Sequence, residues 1–409
     1  MEYRTKTIVF FAMALLLGPG INAQKHNLPP WRPGFLDIHH INTGRGDASF
    51  LVFPDGTTLL VDAGDMSETH PRTTSPRNAK LMPDPSRTAP QWIVDYIEQF
   101  MPLETKRILD YALITHYHDD HFGELDSLRK KAPEGFGLTG IMEVGALIPI
   151  KKLIDRGTDY PIDLKDPKIQ ADAAFSSDPF GMVPTLREYW KFIAVQAKKT
   201  GLENEALQVG STAQIVMKHY PENYPTFSVR NLASNGQLWT GFDDSTFSLF
   251  KKGEYPGENP LSNAIRIDYG KFNYYTGGDL AGVDGLGQSD MDAVESHLAP
   301  VIGPVDVATL NHHGNRDSQN PYYVRTLRPR VWIQQNWTAD HPGEEVLRRI
   351  TSEQLYPGPR DIFSTVMLQA TKEVIGSRLD RYQGQGGHIV VRVRDNGGHL
   401  PNLYIGRYH

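Results

Sequence analysis

The sequence predicts a mixed α/β fold built on two related sheets, and three observations carry that prediction. Short apolar runs bounded by turn residues recur in two halves of the chain, over 35–114 and 264–334. Stretches with apolar residues at helical spacing lie between and after them. Gly (37) and Pro (29) are plentiful enough for many loops over a β-rich frame. With 409 residues, 39% hydrophobic and 22% charged, the chain has ordinary globular composition and room for a large core.

The elements follow in order. Residues 35–41 alternate loosely as a strand, and 48–53 and 57–61 flank Pro54-Asp55-Gly56, so they form a hairpin ending in Asp62-Ala63-Gly64. A long polar, Pro-rich loop occupies 65–89. Trp92, Ile93, Tyr96, Ile97 and Phe100 repeat as a helix face; 108–114 is a buried strand leading into THYHDDH, and 125–131 reads as a helix. The stretch at about 150–255 reads as an insertion beside the rest, with a helix at 186–198. Strands return at 264–267 and 272–275, the latter emptying into Thr276-Gly277-Gly278-Asp279. A helix at about 289–298 precedes a buried strand at 305–310, which ends in Asn311-His312-His313-Gly314. A strand at 331–334, a helix near 344–350 and a hairpin around Asn396-Gly397-Gly398 complete a single domain over 35–409.

Composition bounds the function. Arg4 and Lys6, the apolar run 8–17 and a small residue at Ala23 have the order of a secretory signal over 1–23, with 24–34 as a Pro-rich linker. The run is too short to span a bilayer and no longer one follows, so no membrane span is expected after cleavage. The expected location is a bacterial periplasm or the secreted space. There is no cysteine, which excludes disulfides, thiolate ligands and lipidation at an N-terminal Cys. The net charge of −6, one unit more negative without 1–23, argues against a stable nucleic-acid complex, which needs clustered cations.

Three strand ends carry candidate chemistry. His116 and His118, two apart in an extended loop, point the same way and can grip one metal; Asp120 and His121 can grip a second beside it. Asp279 follows two glycines, which let the backbone turn sharply and approach a site, and its carboxylate can bridge two cations. His312 and His313 end a third strand. Adjacent residues in extended chain face opposite sides, so one of the pair is the expected ligand, with His313 preferred because Gly314 frees the approach; the other orients a ligand or meets substrate.

These motifs resemble the metallo-β-lactamase superfamily, whose H-x-H-x-D-H pattern is matched by residues 116–121. More narrowly, the chain is similar to the soluble hydrolase domain of ComEC-like competence proteins. That likeness rests on Asn42-Thr43-Gly44-Arg45-Gly46-Asp47, Val61-Asp62-Ala63-Gly64, Gly278-Asp279, His312-His313-Gly314 and His341-Pro342. It covers roughly 35–395 in order, with 150–255 unmatched. The resemblance implies a four-layer αββα sandwich with two divalent metal ions at one edge, zinc preferred and manganese or iron open. It also implies that Asp62 holds the metal loops, with Asp47 and His341 behind the ligands or against substrate. The family usually has a further ligand histidine between the first cluster and the Gly-Asp motif. His219 is the only histidine in that interval, in a context that does not match; His341 is the alternative, against a capping or packing role.

The expected activity is that of an exported metal-dependent hydrolase, with Asp120 orienting an activated water toward a phosphodiester or nucleotide-like small molecule. Hydrolysis of a lactone, thioester or β-lactam is the competing substrate reading, and a non-catalytic metal-binding module the competing class.

Overall fold

A computed structural model describes residues 28–102, 107–172, 182–283 and 289–394 and the strand 403–408. The signal segment 1–23 and the Asn396-Gly397-Gly398 turn lie outside the described residues. Two sheets dominate. The first begins with β1 (Leu36–His40), β2 (Ser49–Val52), β3 (Thr58–Val61), β4 (Leu109–Leu113), β5 (Ile150–Asp155) and β6 (Glu203–Ala206). The second holds β7 (Phe227–Ser234), β8 (Gln237–Trp239), β9 (Thr246–Ser248), β10 (Ala264–Tyr269), β11 (Phe272–Thr276), β12 (Val307–Thr309), β13 (Val331–Gln334), β14 (Asp361–Ser364) and β15 (Tyr382–Gln385). The chain then returns to the first sheet with β16 (His388–Val393) and β17 (Leu403–Tyr408), which pair antiparallel. The strand orders are β17-β16-β1-β2-β3-β4-β5-β6 and β15-β14-β13-β12-β11-β10-β7-β8-β9.

The alternation of side chains along strands sorts the core into layers. Leu51, Leu59, Val61, Tyr111 and Leu113 of the first sheet pack against Ile265, Ile267, Tyr274, Val307 and Ile333 of the second. The opposite face of the first sheet, with Phe50, Val52, Leu60 and Ala112, is covered by residues of three helices, Ala89–Phe100, Gly140–Leu147 and Met182–Thr200. The outer face of the second, with Leu232, Tyr275, Ala308 and Trp332, is covered by Val294–Ile302, Pro321–Leu327 and Glu344–Ile350. The molecule is therefore the four-layer αββα arrangement expected. No described helix is long and apolar enough to cross a membrane.

Two sequence expectations change. The helix expected at 125–131 does not form. The Asp126 carboxylate accepts from the backbone N–H groups of Leu128 and Arg129 and from Ser67, closing a turn that competes with helix. The stretch 150–255 is woven into the frame rather than inserted beside it. It supplies β5 and β6 to the first sheet, joined across the Met182–Thr200 helix, and β7, β8 and β9 to the second. The helix expected at 186–198 is that longer one.

Strand direction positions the site. β3 and β4 run parallel, as do β11, β12, β13 and β14. Their C-terminal ends therefore open on one edge, where open α/β sheets place ligands.

Candidate metal centre

The loop after β4 is clamped from below. Asp62, at φ +60, accepts from the N–H and hydroxyl of Thr115, both at 2.7 Å, and lies 2.8 Å from His121 Nδ1. The Asp47 N–H donates to the Asp120 carbonyl at 2.7 Å, and Ala63 N–H to His121 O at 2.9 Å. Gly46 and Gly64 make this close approach possible: a Cβ on either would sit 2.0 or 2.2 Å from the Asp120 carbonyl oxygen. Gly278, at φ +54, brings the Asp279 turn against Thr115, where a Cβ would meet the Thr115 Cβ at 2.8 Å. Asn263 ties the two sheets together, its Nδ2 donating to Ile114 O at 2.8 Å.

Two ligand groups result. Asp120, His121, Asp279 and His313 form one, and His116, His118 and Asp279 the other, each with its ligand atoms within 4.8 Å of one another. The three strand ends thus meet, with Asp279 common to both groups. His313 Nε2 lies 3.0 Å from Asp120 Oδ2, 3.6 Å from Asp279 Oδ2 and 3.3 Å from His121 Nε2. His121 Nε2 is 3.0 Å from Asp279 Oδ1; His116 Nε2 is 3.2 Å from His118 Nδ1 and 3.7 Å from Asp279 Oδ2.

These spacings fit divalent cations. With metal–nitrogen distances of about 2.1 Å, neighbouring ligand atoms in a tetrahedral sphere lie roughly 3.4 Å apart. Asp279 Oδ1 is buried and accepts no well-formed hydrogen bond among the described residues, an acceptor left over for a cation. Imidazole and carboxylate ligands without thiolate suit zinc, manganese or iron.

The electrostatics point the same way. Burial opposes the charge on Asp279 and Asp120, yet His121 and His313 hold both carboxyls well below their usual range. Burial likewise opposes protonation of His121 and His313. Asp279 nevertheless raises both imidazoles well above theirs, with Asp120 and Asp62 assisting at His121 and Asp47 assisting at His313. His116 goes the other way, held down by burial and by charged His121. Two protonated imidazoles therefore balance two buried carboxylates, the charge that one divalent cation brings when it displaces two protons.

Behind the ligands, His313 Nδ1 faces Gln335 O and Asp47 Oδ1, each at 3.1 Å, so Asp47 and Asp62 sit where they orient imidazoles. Trp337, unmarked in the sequence, donates its Nε1–H to Asp120 Oδ2 at 2.8 Å. It follows β13, another strand opening on this edge, and that position is the signal that would have found it. Glu258 is a second such residue; it accepts the Tyr117 N–H at 3.0 Å and pairs with buried Arg156.

A cavity of about 740 Å³ opens onto both groups, lined among others by Arg72, Arg77, Asn78, Asn259 and Asn315. His341 lines it too, in neither ligand group; its ring lies 5.6 Å from that of His313 and 6.0 Å from that of His312. Burial, followed by charge on His313 and His312, holds the His341 imidazole down to about 3. Both its ring nitrogens lack a hydrogen-bond partner among the described residues. His219 does not join the site: its backbone N–H donates to Asp55 and its Nε2 lies 3.9 Å from Asp110, at the opposite end of β4.

No protein-family model and no curated protein matches the chain. Among solved structures, 39 chains match. One is described as the hydrolase AbOPH of the beta lactamase superfamily, at 12% identity and TM-score 0.30, over 58% of this chain and 56% of that one. Another is the short form of human tRNase Z (ELAC1), also at 12% and 0.30, over 72% of this chain and 91% of that one. This chain spans little more than half of the AbOPH chain, and likenesses this loose carry no inference about chemistry.

Proposed function

We propose that this protein is a metal-dependent hydrolase that cleaves a phosphodiester or related ester at a two-cation site. The observation that carries the reading is the sharing of Asp279 between two ligand groups, the arrangement that holds two cations side by side. Cations bound there would supply Lewis acidity and a water acidified toward neutral pH. Asp120, with Oδ2 held by the Trp337 Nε1–H, would orient that water. His341, neutral and with neither ring nitrogen hydrogen-bonded among the described residues, would offer a substrate oxygen a hydrogen bond. The preference for an anionic ester over a lactone, thioester or β-lactam rests on Arg72 and Arg77 in the cavity wall, which there pair with the carboxylates of Asp119 and Asp340. Export is proposed on the order of residues in 1–23 alone.

The test is metal analysis of the purified protein with turnover measured on bis-p-nitrophenyl phosphate, a lactone and nitrocefin. The expected result is about two cations per chain and phosphodiester cleavage. Asp120→Ala should lower turnover by roughly 10³-fold or more. Full activity in that variant, or no turnover of any ester by metal-loaded protein, overturns the reading.

A further inference from the structure

The two ligand groups are unequal. One has four residues; the other has two imidazoles and only the shared carboxylate. His312 belongs to neither group, but its Nε2 lies 3.7 Å from the carboxylate they share. Extended backbone would turn His312 and His313 to opposite sides, but the chain is not extended there. Both residues are left-handed, His312 at φ 47, ψ 44 and His313 at φ 53, ψ 13. That conformation is strained for an L-residue, and neither position is glycine. The kink brings both rings to one side, with the two Nε2 atoms 3.7 and 3.6 Å from the same oxygen, Asp279 Oδ2.

The wiring of His312 matches that of His121 and His313. His121 has Nδ1 held by the Asp62 carboxylate and His313 has Nδ1 against the Gln335 carbonyl, each with Nε2 turned to the centre. His312 has Nδ1 2.8 Å from Asp317 Oδ1, and its Nε2 faces Asp279. A carboxylate on the far nitrogen fixes the tautomer and ring direction that a metal ligand needs. In the structure the Asn259 carboxamide lies 3.2 Å from His312 Nε2, a contact that cation binding would replace.

On the two-cation reading above, we propose that the adjacent histidines divide between the cations. His313 completes the group with Asp120 and His121, and His312 is the third imidazole of the group with His116 and His118. Asp317 is its positioning residue.

The test is calorimetric titration of the metal-free full chain with Mn²⁺, repeated with Co²⁺ and read by its visible absorption. His312→Gly is the principal variant, because glycine accepts the left-handed backbone without strain and so preserves the turn. Wild type should take two cations. His312→Gly should keep one at near wild-type affinity and weaken the other by roughly 100-fold or more, and Asp317→Ala should weaken that same cation by roughly 10- to 100-fold. In the Co²⁺ spectrum, His312→Gly and His313→Gly should each remove a different component. A His312→Gly protein that binds both cations within threefold of wild type overturns the assignment. A wild type that takes one cation or none overturns the two-cation reading, and this assignment with it.

Discussion

Asp120 is fixed by a residue far along the chain. Trp337, 217 positions later, donates to Oδ2 while the Asp120 backbone carbonyl is held by Asp47. The carboxylate is thereby oriented before any cation or substrate arrives, which is what a water-positioning group requires. The imidazoles around it make cation binding depend on pH. His121 and His313 are raised above the usual imidazole range, so in the absence of cation they hold protons that a metal must displace. Apparent affinity should therefore rise with pH and fall in acid. Calorimetry at about pH 6 and pH 8, in buffers of different ionisation enthalpy, should register tighter binding at the higher pH and net proton release. Proton-independent binding would mean these imidazoles are not ligands.

The turn 311–314 is held from the helix Val294–Ile302 by one side chain. Glu295 accepts from Asn311 Nδ2 at 2.8 Å and from the N–H groups of Gln319 and Asn320 at 2.8 and 2.9 Å, all buried. Glu295→Ala leaves three donors without a partner and should cost about 3 kcal/mol or more in urea unfolding. It should also weaken cation binding, because Asn311 adjoins His312 and His313. Elements also show where sequence reading succeeds. The hairpin of β2 and β3, the strand β4 and the helix at 344–350 were legible from turn residues and apolar spacing, because each is specified by neighbours along the chain. The helix expected at 125–131 failed because a single aspartate, Asp126, captured the backbone N–H groups locally. β6 was unreadable for a different reason: Glu-Asn-Glu-Ala is an edge strand with no apolar alternation, held by pairing with β5 and by Gln214.

Across the whole molecule, the candidate centre is the place where the two sheets are stitched together at one edge. Asn263 reaches from the second sheet to the end of β4, its Nδ2 donating to Ile114 O at 2.8 Å and its backbone N–H to Thr115 O at 2.9 Å. Cations that bridge groups from both sheets bind the folded state alone, so they should stabilise it. At about 100 times the dissociation constant the gain is roughly 2.7 kcal/mol per site. Thermal unfolding should shift upward with added metal and downward with chelator, and a transition insensitive to both would argue that the centre does not bridge the sheets. The sequence by itself determined which residues stand at the ends of which strands, since alternation and turn chemistry are local properties of the chain. It thereby marked His116, His118, Asp120, His121, Asp279 and the His312-His313 pair. Only the tertiary structure decided which atoms oppose one another: Trp337 on Asp120, Asp317 behind His312, His219 at the wrong end, and two left-handed histidines turned to one side. Those depend on contacts between segments one to two hundred residues apart, or, for Asp317 and the two histidines, on a backbone conformation that local preference disfavours, and neither leaves a period in the sequence.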